Sequence, residues 1–428
     1  MNAGNDRVGI GRALRHRNYK LFFSGQSVSL MGTWITRIAT SWLVYRLTNS
    51  ALLLGLVGFC GQIPTTILAP FAGVAVDRVN RHRMLIWTQV LSAAQSLALA
   101  VLAFSGTITV AWILFLQIIQ GIINAFDTPT RQAFVVEMIE DRADLPNAIA
   151  LNSTMVNGSR IIGPSIGGVI IAGFGEAWCF TIDAISYLAV IASLLAMRLR
   201  PTERPAGETT LFDDLRDGYR YVVGFAPVRT ALVLLAIVSS MGMPYTVLMP
   251  AMASSVFHGG PHTLGFLMTA TGAGAVMGAL YLASRRSVLG LGRVMVIATV
   301  SFGVALVVFG ASRALWLALL ALPVAGAGFM VEMASTNTIL QTITEERLRG
   351  RVMAFYTLAF LGTAPIGSLL AGVVANRIGA PATIVAGGVV CIAAGVWLAL
   401  RLASLRRLVR PIYVERGILP GFDSGGSD

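Results

Sequence analysis

Long apolar runs broken by short connections rich in arginine organise this chain from end to end. Runs of bilayer-crossing length, about 20 residues each as helix, occupy 21–46, 51–76, 84–105, 109–133, 147–173 and 177–198. Six more follow at 228–256, 263–284, 292–311, 315–340, 352–376 and 380–402. The pattern predicts an all-α membrane protein with twelve transmembrane helices in two six-helix halves, 21–198 and 228–402. Tails at 1–20 and 403–428 flank the halves, and a linker at 199–227 joins them. In the linker, Pro201, Pro205 and Gly207 precede a stretch where Leu211, Leu215, Tyr219 and Val222 recur at helical spacing. This predicts a helix lying on the membrane surface; the alternative is an extension of the seventh membrane helix. The closing GFDSGGSD lacks apolar content and is expected to be disordered.

Composition agrees: 55% of residues are hydrophobic and 12% charged, against about 25% charged in a soluble globule. The charge that remains is unevenly placed. Connections after even-numbered helices, together with the tails, carry Arg78, Arg81, Arg83, Arg142, Arg198, Arg200, Arg204, Arg216, Arg220, Arg285, Arg286, Arg293, Arg347, Arg349, Arg351, Arg406, Arg407 and Arg410. The opposite connections offer Arg46, Arg313 and Arg377. Basic residues favour the cytoplasmic side, so both termini are expected in the cytoplasm of a multi-pass protein of the cell membrane. The tail before Lys20 has no signal-peptide pattern. The net charge of +12 is thereby explained without a nucleic-acid partner. Lys20 is the only lysine, so no GxxxxGK[ST] phosphate loop exists in this chain. An ATP-driven pump within this chain is therefore not expected, and no cofactor is expected. Cys60, Cys179 and Cys391 sit in apolar runs as small hydrophobes. His258 and His262 are separated by Gly259, Gly260 and Pro261, which preclude the helix that would align them, so no metal site is expected. No nucleophile, base and orienting residue share a recognisable spacing, so no enzyme activity is expected.

Between the second and third runs lies GVAVDRVNRHRML, Gly73 to Leu85. Gly73 permits close backbone approach, Asp77 accepts hydrogen bonds, and Arg78, Arg81 and Arg83 hold the turn inside. The stretch resembles the loop between the second and third helices of the major facilitator superfamily, in which Gly73, Asp77, Arg78 and Arg81 match the pattern. Asn80 stands where glycine is usual, a change a left-handed backbone tolerates, and His82 stands at the following basic position. The resemblance implies a transporter of two related halves working by alternating access. An offset of 205 residues places Gly73 on Gly278, Arg81 on Arg286, Gly121 on Gly326 and Asp127 on Glu332 (278 − 73, 332 − 127). The halves are therefore expected to be pseudo-symmetric.

Ionisable groups inside membrane helices are costly and mark function; here they are Arg37, Asp127, Arg131, Arg160, Asp183 and Glu332. The repeat suggests one acid–arginine pair per half, Asp127 with Arg81 and Glu332 with Arg286, acting as a latch. The rival is that Asp127 or Glu332 takes up a proton or contacts substrate. Arg37, Arg160 and Asp183 could form one cluster, with Asp183 compensating one arginine, or an arginine could attract an anionic group. Gln62, Gln117, Gln120, Asn124, Asn157, Asn337 and Gln341, with Trp34, Trp42, Tyr245, Phe329 and Tyr356, suit a site of few polar groups on apolar walls.

In the fifth run, Gly158, Gly163, Pro164, Gly167 and Gly168 give a smooth helix face and a bend. The arrangement resembles the fifth-helix signature of exporters in the superfamily; ordinary small-residue packing is the alternative. The stretches 42–59, 125–153 and 212–222 resemble the branch holding the enterobactin exporter and macrolide efflux proteins. That resemblance implies proton-coupled export of a siderophore, macrolide or other amphipathic small molecule, by a monomer in a lipid bilayer. An importer of the same fold and a non-transporting membrane scaffold or receptor are the other readings.

Overall fold

The computed structural model describes residues 11–198, 211–285 and 287–419. Arg286, linker residues 199–210 and the tail from 420 lie outside the described residues, as does the side chain of Asp77. The described chain is helical: α1 (Arg17–Thr48), α2 (Ala51–Arg78), α3 (Arg81–Phe104), α4 (Val110–Glu137), α5 (Leu145–Phe174), α6 (Glu176–Leu195), α7 (Leu211–Gly224), α8 (Ala226–Ile237), α9 (Tyr245–Ala251), α10 (Pro261–Ser284), α11 (Leu291–Ala311), α12 (Leu315–Ile343), α13 (Glu346–Thr357), α14 (Thr363–Ile378) and α15 (Ala380–Glu415). Among the described residues, 11 helical stretches are long and apolar enough to span a membrane. The first predicted span is not among them. At 32 residues α1 is long enough, but Ser27, Ser29, Thr33, Arg37 and Ser41 lower its hydropathy.

The linker helix is separate from the helix that follows it. At Phe225 the backbone opens to φ −104°, ψ 101° between α7 and α8, so α7 is not an extension of the seventh span. Two predicted spans are interrupted by π-helical turns, at Val238–Gly242 and Leu358–Gly362. Pro244 and Pro365 lie four residues beyond Ser240 and Leu361, and a proline ring clashes with the carbonyl four residues back. The wider turn relieves that clash. Ser239 Oγ donates to the carbonyl of Phe360 at 2.6 Å, satisfying an acceptor inside an apolar region.

The chain resolves into two compact units. The first comprises Met1–Asn49, Cys60–Ala206 and His258–Thr269, where α1 packs on α5 and α6, and α3 on α4 and α6. The second comprises Ser50–Phe59, Gly207–Phe257 and Ala270–Asp428, with α11 packed on α12 and α15.

At one end of the first unit an apolar cluster gathers Tyr19, Phe22, Leu85, Phe134, Met138 and Leu194 from four helices. A short turn at Arg12–Arg15 ties this end to the start of α5. Arg12 Nε and His16 Nε2 lie 3.0 and 3.1 Å from the two carboxylate oxygens of Asp144. The Ala13 amide donates to Asn147 Oδ1 at 2.9 Å, and the Tyr19 hydroxyl donates to the carbonyl of Ala148 at 2.7 Å. Asp144→Asn removes the charge that both basic groups share. It is expected to cost about 1.5–3 kcal/mol and to raise amide exchange over residues 12–22, with exchange elsewhere unchanged. Unaltered protection of that segment would show that the apolar cluster alone holds it.

Candidate functional site: polar groups inside the helix bundle

The turn between α2 and α3 is shorter than its charge suggests, with Val79 and Asn80 alone between the helices. Asn80 is extended, at φ −69°, ψ 108°, and its side chain accepts from the Arg83 amide at 3.0 Å. It serves as an N-cap, not as a substitute for a left-handed glycine. Gly73 also departs from expectation: a Cβ there would meet nothing within 4 Å, so close approach does not explain it. Arg78 and Arg83 are exposed. Arg81 Nη1 pairs with Glu137 Oε1 at 3.0 Å. The expected partnership of Arg81 with Asp127 therefore gives way to one with Glu137, ten residues further along α4.

Asp127 is held differently. It is buried, and its Oδ1 accepts from Thr88 Oγ1 at 2.8 Å and Gln89 Nε2 at 2.7 Å. Arg131, one turn along α4, stands 3.8 Å from Oδ2. These bonds belong to a polar seam that sequence inspection passed over. Thr88, Gln89, Ser92, Gln95 and Ser96 are all buried on α3, and their spacing puts them along one side of a helix. Gln120 Nε2 donates to Ser92 Oγ at 3.3 Å and Asn124 Oδ1 at 3.1 Å. Ser96 Oγ donates to Asp183 Oδ2 at 2.7 Å. The signal was present as a polar stripe of helical period inside an apolar run.

Asp183 does not gather with the arginines. It is 1% exposed and faces α1 at Gly32, where a Cβ would come within 2.7 Å of its Oδ1. Arg37 lies five residues past Gly32, about 140° around the helix. There Thr33, Arg37 and Ser41, each one turn from the next, form a stripe that is exposed or half-buried. The Arg37 guanidinium sits 5.1 Å from the centre of the Trp34 ring, and that of Arg160 on α5 sits 5.9 Å from it. Both are within cation–π range. Asn157, one turn before Arg160, donates to the Ser153 carbonyl at 2.9 Å. Two cations, Arg37 and the half-buried Arg160, thus share one indole.

The glycines of α5 make this approach possible. A Cβ on Gly163 would lie 2.5 Å from Trp34 Cβ, and one on Gly167 would lie 2.5 Å from Ile38 Cγ2. Gly168 instead faces α10, 2.8 Å from the Pro261 carbonyl by the same measure, and Pro164 is buried beside Gly265. Gly158 has nothing within 4 Å. Four of the five signature residues therefore serve close packing.

In the second unit Glu332 is fully buried. Its Oε1 accepts from Thr336 Oγ1 at 3.0 Å, and its Oε2 has no partner among the described residues. Arg286, the partner expected for it, lies outside them. An aromatic run links Tyr245 to Phe302 at 6.1 Å, Phe302 to Phe329 at 5.7 Å, Phe329 to Phe360 at 6.0 Å and Phe360 to Tyr356 at 6.5 Å. Three candidate wall residues are thus joined by two that the sequence did not single out. Asn337 accepts from Gln341 at 2.6 Å on an exposed face of α12.

Comparison with known proteins agrees with this architecture. The family described as transmembrane secretion effector matches residues 12–408. The staphyloferrin A transporter of Staphylococcus aureus is 28% identical over 84% of this chain and 90% of its own length. The multidrug efflux pump Tap of Mycolicibacterium fortuitum is 27% identical over 88% of this chain and 93% of its own. Among solved structures, a POT family transporter in complex with 5-aminolevulinic acid superposes with TM-score 0.70 at 12% identity, over 91% of this chain and 96% of that one, which establishes the fold alone. The family match, spanning nearly the whole sequence, places this multi-pass membrane protein among the transmembrane secretion effectors, a transporter family of the major facilitator superfamily.

Proposed function

We propose that this protein is a proton-coupled exporter of the plasma membrane that expels an amphipathic small molecule bearing negative charge, by alternating access. The observation that carries this reading is the pair Arg37 and Arg160 on one tryptophan. An anionic group arriving beside these two guanidiniums would meet both positive charges, and the indole offers an apolar surface next to them. Relatives named for a siderophore and for multidrug efflux support the substrate range. The first helix completes a set of twelve spans in this reading, because its polar stripe lines a solvated path and need not meet lipid. The repeat supports two related halves: Gly121 meets α2 beside Gly61, and Gly326 meets α10 beside Thr271. The charge asymmetry supports cytoplasmic termini. Protons are the coupling ion in this reading, with Glu332 the group that carries them and Asp127 a structural node.

The test is uptake into inverted vesicles, using a carboxylate siderophore and a lipophilic cation as alternative substrates. Arg37→Gln and Arg160→Gln are each expected to lower siderophore transport about tenfold or more, the scale of a lost charge-assisted hydrogen bond, and to leave cation transport unchanged. Undiminished siderophore transport in both variants would remove the arginines from the substrate path. Flux only in the opposite direction would favour an importer, and no flux of any substrate by folded protein would favour a scaffold.

A further inference from the structure

The second unit contains a cleft of about 300 Å³, at the lower end of volumes that hold small ligands (roughly 300–1,000 Å³). It lies where α8 and α11 begin and α15 leaves the bundle, with Ile339 of α12 also in its lining. Ala231 and Met295 form one side; Leu398, Leu402, Leu405 and Val409 form the other. Those four recur along one face of α15, and the same helix brings Arg406, Arg410 and Tyr413 to the cleft. Arg406 and Arg410 are one turn apart on its outer part.

The length of α15 sets the depth of these residues. At 36 residues and 1.5 Å per residue it runs about 54 Å, whereas the hydrocarbon core is about 30 Å thick. Counted from Ala380, the helix leaves hydrocarbon near Arg401. Leu398 therefore stands at acyl-chain depth, and Leu402 and Leu405, with Arg406, Arg410 and Tyr413, stand in the interfacial layer beyond it, where basic and aromatic residues anchor. The last turns also carry Arg401, Arg407 and Arg416 against the single acid Glu415. The positive-inside distribution assigns this end to the cytoplasmic leaflet, whose lipids include anionic ones.

We infer that this cleft is a binding site for an anionic phospholipid, with the phosphate on Arg406 and Arg410 and an acyl chain running past Leu405 and Leu402 towards Leu398. A bound lipid would brace α15 against α8 and α11. The site contains neither Arg37 nor Arg160 and does not depend on the proposed substrate.

Full-length protein in mild detergent, titrated with phosphatidylglycerol and followed by native mass spectrometry and thermal unfolding, tests this. One retained phosphatidylglycerol and a raised melting temperature are expected, with neither effect from phosphatidylcholine or inorganic phosphate. The double variant R406Q/R410Q is expected to weaken retention about 30-fold while leaving lipid-free melting unchanged. Leu402→Trp, which fills the cleft with both arginines intact, is expected to abolish retention. Equal retention of phosphatidylcholine, stabilisation by phosphate alone, or unaltered retention by these variants would overturn the assignment.

Discussion

Gly163→Leu is expected to prevent assembly of the first unit, and Gly163→Ala to destabilise it by about 1–3 kcal/mol. Even the first carbon of an alanine side chain would sit 2.5 Å from Trp34 Cβ and 3.3 Å from the Met31 carbonyl. Neither neighbour is the free end of a flexible chain, so the helices themselves must part. On the proposed function the loss is expected to extend to transport, because Arg37 and Arg160 both lie against Trp34. Separation of α1 from α5 moves the indole and disperses the two cations. Gly158→Ala supplies the control on the same helix. Nothing lies within 4 Å of that position, so the change is expected to be neutral, or to stabilise by the roughly 1 kcal/mol by which alanine exceeds glycine in a helix. Thermal unfolding in detergent and siderophore transport in vesicles would be measured for both. If Gly163→Ala and Gly158→Ala behaved alike, close packing could not be the reason for the glycine signature.

Glu332→Gln is expected to abolish proton-driven accumulation while preserving substrate exchange down its own gradient. Glutamine has the shape of a protonated glutamate, and its carbonyl can still accept from Thr336 where Oε1 does now. The site is fully buried, where an ionised carboxylate without a partner is costly. Uptake and release of a proton at this position would thus accompany a change in its surroundings, which is the coupling an antiporter requires. Accumulation should fall at least tenfold relative to the wild type, a loss of about 1.4 kcal/mol or more of coupling. Counterflow of labelled against unlabelled substrate should stay within about twofold of the wild type, since the exchange step needs no net proton movement. Retention of both activities would assign proton transport elsewhere. Loss of both by folded protein would make Glu332 part of the substrate path or its scaffold.

Asp127 contrasts with Glu332, although the 205-residue offset places one on the other (332 − 127). Asp127 has Thr88, Gln89 and Arg131 around it, so its charge is compensated in place. Among the described residues, Glu332 has one hydroxyl on one oxygen. The two acids therefore stand in different environments, and this difference motivates proposing Glu332 as the proton carrier.

The helical class, the superfamily and nearly every span were legible in the sequence, because a bilayer demands long apolar runs with internally bonded backbone and gathers arginine on one side. The separate linker helix was legible too, from its own period. Partner choice was not. The sequence placed Arg81 and Asp127 at matching depths, but depth along a helix does not fix the side a residue faces, and Arg81 turned to Glu137. The same limit separated Arg37 from Asp183, which share a membrane but face different sides of α1. The π-helical turns also required tertiary packing, since a proline can kink a helix or end it, and only the neighbouring backbone decides. In the fifth helix the glycines announced close packing, while the identity of what they pack against, Trp34 with its two arginines, was settled by how α1 crosses α5. The sequence by itself determined a membrane transporter with charges it could not bury cheaply; the tertiary structure decided which of those charges were compensated, because compensation depends on angles between helices that no local pattern encodes.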